Sequence, residues 1–246
     1  MQQIQLINDD CLSFLSTMPD KSVDLILTDP PYECENHGGG KANLAQRQLV
    51  KDKHIDFMST GFDYDRVLTE FIRICRITNI LMFCSNKQVS VLMSWFEQKH
   101  IPVDLLAWSK TNPIPLCNGK YLSDCEFIVY AHGKGAVFNN DCPYEYKRKV
   151  YSSPIVSNEN RLHPAQKPVE LLKRYILLHT MIGATVFDPF MGSGSTAIAA
   201  DLTDRNFIGV ELDETYFGIA QQRLQATRAG VPFIIKQEHE ANKRLF

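Results

Sequence analysis

Short apolar runs recur along this chain, and stretches with helical spacing separate them. Val23-Asp24-Leu25-Ile26-Leu27-Thr28 runs into Asp29, Ala184 to Phe187 into Asp188, and Phe207 to Val210 into Glu211. Residues 4 to 8, Ile80 to Cys84, Val103 to Trp108 and Glu126 to Tyr130 are further strand candidates. Between them, Cys11 to Met18, the face carrying Val67, Phe71, Ile74 and Cys75, residues 87 to 98, Ser195 to Leu202 and Glu214 to Arg228 read as helices. Pro168 sits at a first-turn position and opens another, with Val169, Leu172, Tyr175, Ile176 and His179 on one side. Strands that alternate with helices imply an α/β fold with a doubly wound, mainly parallel sheet, whose ligands bind at the carboxyl ends of the strands.

The 246 residues suit a single domain, 1–246, with enough apolar side chains for a core. Two stretches break the rhythm. Residues 33–62 lack periodicity, contain Gly38-Gly39-Gly40 and read as a long mobile loop, while 133–165 reads as irregular. Seven cysteines without a C-x-x-C pair argue for free thiols in a reducing compartment and against a structural zinc site, so no metal is expected. No leader and no apolar run of spanning length stand out, and the expectation is a cytoplasmic protein without a membrane partner. A net charge of −2 does not advertise nucleic-acid binding, so any such binding must come from a local patch. Residues 133 to 174 supply one candidate, with eight Lys or Arg against four Asp or Glu. The same stretch reads equally well as solvated surface.

Two strand ends carry the chemistry. In Asp188-Pro189-Phe190-Met191-Gly192-Ser193-Gly194-Ser195-Thr196 the glycines allow a tight turn and close approach of backbone to ligand, and the next helix presents its first N–H groups. Glu211, at the end of the following strand, suits a pair of ribose hydroxyls. A G-x-G alone is also an ordinary strand-to-helix turn. The third glycine of a dinucleotide fingerprint is missing, as is the Gly-Lys-Ser/Thr of a triphosphate loop, so the ligand reads as a mononucleoside without a phosphate chain. In Asp29-Pro30-Pro31-Tyr32 two prolines remove two N–H donors and hold the backbone extended. The Asp29 carboxylate and Pro30 carbonyl can then both accept from a planar amino group stacked on Tyr32.

Taken together and in this order, the two motifs resemble the amino-methyltransferases of DNA in the permuted arrangement of the beta class. Asn8-Asp9-Asp10-Cys11, Phe83-Cys84-Ser85-Asn86, His163-Pro164-Ala165-Gln166-Lys167-Pro168 and Gly209-Val210-Glu211 match further blocks of that family in sequence. The chain is particularly similar to the short adenine methyltransferases of Helicobacter restriction systems. It departs from the usual pattern at Ala165 and Ser195, where the family has Thr. The resemblance implies a Rossmann-like fold with S-adenosylmethionine as methyl donor. It places Glu211 at the ribose, Asp10 and the adjoining Cys11 at the adenine edge, and Asp188, Phe190, Gly192, Ser193, Gly194, Ser195 and Thr196 along the methionine and ribose path. Gln166, Lys167 and His163 would lie near the cofactor carboxylate, with a loop histidine capping a helix start as the other reading of His163. Asp29, Pro30, Pro31 and Tyr32 would form the catalytic set, Asp29 facing donor and target alike.

The expected reaction is direct in-line attack of an adenine N6 on the sulfonium methyl. Acceptors at Asp29 and Pro30 favour the pyramidal amine and stabilise positive charge developing on nitrogen. The base must leave the duplex to reach them. No Pro-Cys nucleophile pair of the kind needed for carbon-5 cytosine methylation accompanies the motif. Double-stranded DNA is the expected partner, with 33–62 and 111–162 as recognition segments, the latter as a target-recognition insertion. Lys147, Arg148, Lys149 and Arg161 are the candidate DNA contacts, beside Asn112, Asn118 and Asn158. A homodimer and a companion restriction endonuclease are further expectations. Cytosine-N4 or RNA adenine methylation, a non-catalytic nucleic-acid-binding domain and a dinucleotide oxidoreductase are the competing readings.

Overall fold

A computed structural model describes residues 2–30, 64–115, 119, 121–157, 161–163 and 165–233. Pro31, Tyr32, Asn118, Asn158 and the segment 33–62 lie outside the described residues. The strands are β1 (Ile4–Asn8), β2 (Leu25–Thr28), β3 (Asn79–Cys84), β4 (Val103–Lys110), β5 (Cys125–His132), β6 (Val150–Ser153), β7 (Thr185–Asp188) and β8 (Asn206–Glu211). The helices are α1 (Cys11–Thr17), α2 (Tyr64–Ile74), α3 (Asn86–Gln98), α4 (Val169–His179), α5 (Ser195–Asp201) and α6 (Glu214–Arg228). All eight strands join one sheet in the order β1-β8-β7-β2-β3-β5-β4-β6. Only β5 runs against its neighbours, pairing antiparallel with both β3 and β4.

Both faces of the sheet are covered, and alternation along the central strands shows how. Leu25 and Leu27 of β2, with Leu81 and Phe83 of β3, pack on a layer that includes Leu171, Tyr175 and Ile176 of α4 and the small residues Ala197, Ala199 and Ala200 of α5. Ile26, Ile80 and Met82 point the other way, among Leu15 of α1, Val67, Leu68 and Phe71 of α2, and Leu92 and Phe96 of α3. A strand buried on both sides has no polar face to show, which is why β2 and β3 read as continuous apolar runs.

Two departures from the sequence reading concern the stretch expected to be irregular. A one-turn 3₁₀ helix occupies Tyr144–Lys147, and β6 adds to the sheet edge beside β4. The edge strand Val-Tyr-Ser-Ser is only half-buried, so it lacks the apolar signature of the interior. Within 111–162, β5 and β6 are part of the central sheet, which leaves 111–115, 119, 121–124, 133–149, 154–157, 161 and 162 outside it among the described residues. The basic excess between 133 and 174 is also smaller at the surface than in the sequence. Arg174 is buried, its guanidinium donating to the carbonyls of Tyr146 and Arg148, and Lys167 is buried as well. Arg174 thereby ties the 3₁₀ turn to α4. Pro168 is the cap residue preceding α4 and not its first turn.

The connections leaving β7 and β2 diverge. From β7 the chain passes through α5 to β8 on one side, while β2 leads through α2 to β3 on the other. Such a divergence opens a crevice at the carboxyl ends of two adjacent strands.

Candidate active site

The order β8-β7-β2 sets three carboxylates side by side: Glu211 ends β8, Asp188 ends β7, and Asp29 follows β2. Parallel pairing of Leu25 with Val186 and Ile26 with Phe187 brings two motifs far apart in sequence to the same edge. Their joint is a hydrogen bond, Thr28 Oγ1 donating to Asp188 Oδ1 at 2.8 Å across 160 residues of chain.

Asp188 is 3% exposed, and protein donors meet both of its oxygens. The Phe190 N–H adds to Oδ1 at 3.1 Å, and Thr196 Oγ1 donates to Oδ2 at 2.6 Å. The carboxylate therefore clamps β2, the turn after β7 and the start of α5 together. Burial pushes its pKa up to about 6 against the pull of these donors. In this direction the folded protein holds the proton more tightly than the unfolded chain. Stability is then highest below the ordinary carboxylate value near 4 and falls as pH rises to about 6, by about 3 kcal/mol for a shift of this size. Asp188→Asn keeps an acceptor for Thr28 and can donate to Thr196 Oγ1. Denaturant melts between pH 4 and 6 should show that decline in the wild type and a flatter profile in the variant.

The turn itself depends on two glycines with positive φ, Gly192 at 53° and Gly194 at 80°. At Gly194 a Cβ would stand 2.8 Å from the Cβ of Ala220, so α6 packs where only hydrogen fits. At Gly192 the nearest atoms belong to the His163 ring, 3.7 Å from a Cβ placed there. That ring stands edge-on to Tyr216, with centroids 4.4 Å apart, so His163 roofs the turn. The Gly192 N–H donates to Glu211 Oε2 at 2.9 Å, and the Asp213 N–H to Oε1 at 2.8 Å. Glu211 is 8% exposed and is aimed into the turn by these two bonds. Each carboxylate oxygen can accept more than one hydrogen bond, so this anchoring is compatible with hydroxyl donors of a ligand.

A residue that the sequence reading passed over holds the far side of the turn. Arg223 of α6 is buried and donates to the carbonyl and hydroxyl of Ser193 and, at 3.3 Å, to Ser195 Oγ. Burial without a carboxylate brings its pKa down to about 10. Asp10 caps α1, accepting from the Ser13 N–H at 2.9 Å. It follows β1, whose Asn8 pairs with Glu211, so Asp10 belongs to the same rim. Cys11 is buried, and its thiol pKa is raised to about 12, chiefly by burial.

Lys167 lies on the Asp29 side of the site. Its ammonium, 6% exposed, contacts the Asp29 carboxylate, lies 3.1 Å from Glu126 and sits 5.0 Å from the Phe83 ring centroid. Burial alone would lower its pKa; the two carboxylates outweigh that and raise it. Glu126, at the start of β5, also meets Lys110 of β4 at 2.8 Å. Burial would raise the Glu126 pKa, but the two lysines hold it below the ordinary value. Gln166 accepts from the Leu162 N–H and thereby shapes the loop. Beside this cluster lies a cavity of about 150 Å³ lined by Trp108, Lys110, Glu126, Ile155, Arg161 and Gln166, among others. Since β7 and β8 lie on one side of β2 and β5 and β4 on the other, Asp29 stands between the glycine turn and the cavity.

Of the candidate DNA contacts, Lys147, Arg148 and Lys149 do not line the cavity. Lys147 Nζ donates to the Asn140 carbonyl at 2.6 Å, Lys149 pairs with Asp104, and Arg148 is exposed. Arg161 lines the cavity and donates to the Val156 carbonyl at 2.9 Å. Asn112 accepts from the Ile155 N–H. Among the described residues no three His, Cys, Asp or Glu gather as a metal site, and no helix is long and apolar enough to cross a membrane.

A family model described as DNA methylase matches residues 23–222. The type II methyltransferase M2.DpnII of Streptococcus pneumoniae is 31% identical over 90% of this chain and 89% of its own length. The type II methyltransferase M.HinfI of Haemophilus influenzae is 27% identical over 89% of this chain and 68% of its own. Among solved structures, a complex of M1.HpyAVI with SAM superposes with a TM-score of 0.68 at 30% identity, covering 90% of this chain and all of that one. The cytosine-N4-specific PvuII DNA methyltransferase superposes with a TM-score of 0.66 over 89% of this chain and 86% of its own, but at 16% identity this likeness speaks for the fold alone.

Proposed function

Because the chain belongs to the DNA methylase family of N6 and N4 methyltransferases, we propose that it transfers a methyl group from S-adenosylmethionine to the N6 of an adenine in double-stranded DNA. The observation that carries this reading is the place of Asp29, between a glycine turn and a cavity. The acceptor-rich rim of Glu211, Asp10 and Asp29, with no lysine on the turn itself, fits a cationic, hydroxyl-bearing nucleoside better than a phosphorylated one. The donor supplies an electrophilic methyl. Glu211 receives ribose hydroxyls, Asp10 the adenine edge of the cofactor, and the Phe190 to Thr196 turn, roofed by His163, follows the rest of the molecule.

Asp29 and the Pro30 carbonyl accept hydrogen bonds from the two N6–H groups of a base turned out of the duplex. These acceptors hold the nitrogen lone pair toward the methyl and stabilise the charge that develops there. Tyr32 and Pro31 complete the catalytic set in this reading. Asp before Pro30, where Ser would point to cytosine N4, favours adenine. Expression in methylation-free cells, followed by mapping of modified bases, tests the proposal: one short motif carrying N6-methyladenine is expected. A genome without new modification would count against the proposal.

The same reading makes the protein a cytoplasmic homodimer that protects DNA from a companion endonuclease. It assigns sequence recognition to 33–62 and to the parts of 111–162 outside the sheet, with Arg161 at the cavity. Lys147, Arg148 and Lys149 would meet phosphates. Alanine at all three should weaken binding to every DNA sequence alike and reduce the salt slope by about one to two, since Asp104 already neutralises part of Lys149. Fluorescence titrations over a range of salt concentrations measure this, and an unchanged slope would make the three charges ordinary surface.

A further inference from the structure

We propose that Glu126 is a positioning residue for Asp29 and that its negative charge lets the site accept a cationic methyl donor; this rests on the methyl-donor reading above. No motif marks Glu126, yet it stands at the hinge of an unbroken series of ion pairs: Lys110 to Glu126 at 2.8 Å, Glu126 to Lys167 at 3.1 Å, and Lys167 to Asp29. The four charges alternate and sum to zero. The surroundings add aromatic faces, with Lys110 over Trp108 and Lys167 over Phe83. Lys110 and Lys167 each reach a backbone carbonyl as well, those of Ser123 and Ala165.

Without the Glu126 charge, Lys110 and Lys167 each lose a carboxylate, and the net charge of the cluster rises by one. The Lys167 ammonium then draws harder on Asp29, which becomes a poorer acceptor for an amine. The excess charge would also oppose the sulfonium and the positive charge that develops on the target nitrogen. Glu126 divides the attention of Lys167, so that the lysine orients Asp29 while the site stays neutral.

The charge of the ligand supplies the test. S-adenosylhomocysteine keeps the nucleoside and the aminocarboxypropyl chain of S-adenosylmethionine but lacks the methyl group and has a neutral sulfur, so the change in the ratio of their affinities on substitution reports the electrostatics at the sulfonium and cancels structural damage common to both. Glu126→Gln keeps the side-chain shape. Calorimetry on the full chain should show its preference for S-adenosylmethionine over S-adenosylhomocysteine reduced by about three- to tenfold relative to wild type, the scale of one partly screened charge. Lys110→Gln removes a positive charge from the same series and should raise the ratio. An equal loss for both ligands in Glu126→Gln, or no change, overturns the inference. If that variant does not fold, Lys110→Gln decides: a raised ratio supports the inference, and an unchanged or lowered one overturns it. A wild-type chain that binds neither ligand would instead overturn the methyl-donor reading, and the inference with it.

Discussion

Alanine at Asp29 should lower methyl transfer by roughly 10³-fold, the scale of losing a preorganised charged group at the reacting atom. The side chain is not a core element. It is an acceptor at the mouth of β2, and its ion-pair partner Lys167 keeps both Glu126 and the Ala165 carbonyl when Asp29 is cut back. A buried lysine with one carboxylate left is strained but not orphaned, so the variant should fold with a modest loss of stability. Asp29→Asn retains an acceptor oxygen without the charge and should fall between wild type and alanine. Initial rates with labelled donor, read beside a thermal melt, measure both effects. Near-normal turnover in well-folded Asp29→Ala would remove the catalytic role.

The second large effect belongs to Glu211. Its replacement by alanine should weaken S-adenosylmethionine binding about ten- to hundredfold, corresponding to roughly 1–3 kcal/mol for hydrogen bonds to a charged acceptor. Part of this loss is direct, from the ribose hydroxyls. The rest is indirect, because the Gly192 and Asp213 N–H groups both lose the carboxylate that fixes the turn. Glu211→Gln separates the two contributions, since its one amide oxygen can keep one of these backbone donors. Calorimetry gives the affinities, and DNA binding in the absence of cofactor should change little. An unchanged affinity in Glu211→Ala would make the residue structural and displace the ribose from this position.

The elements that the sequence announced are those whose residues answer to one local rule. β2 and β3 are apolar because both faces are covered, α6 starts where Asp213 caps it, and Gly192 and Gly194 occupy positive φ. What the sequence concealed depends on partners distant along the chain. Nothing near Lys167 in the sequence discloses its ion pair with Asp29, 138 residues away. Glu126 sits in a strand read as apolar and gains its meaning only from two lysines on other elements. Arg223 lies on a helix with little amphipathic contrast, where a charged residue reads as surface, although it holds Ser193. The motif around Asp188 does not disclose the hydrogen bonds from Thr28, Phe190 and Thr196 that engage both of its oxygens within the fold. β6 escaped notice because an edge strand buries too little to leave an alternating pattern.

The most direct measurement is transfer of a labelled methyl group from S-adenosylmethionine to unmethylated duplex DNA by the purified chain, with the product digested to nucleosides and identified by mass. The label should appear on N6 of deoxyadenosine, within one short sequence context, and its rate of incorporation should fall roughly 10³-fold with Asp29→Ala. Label on N4 of deoxycytidine would contradict the assignment of the target base, and an unlabelled digest from folded, cofactor-binding protein would contradict the activity itself.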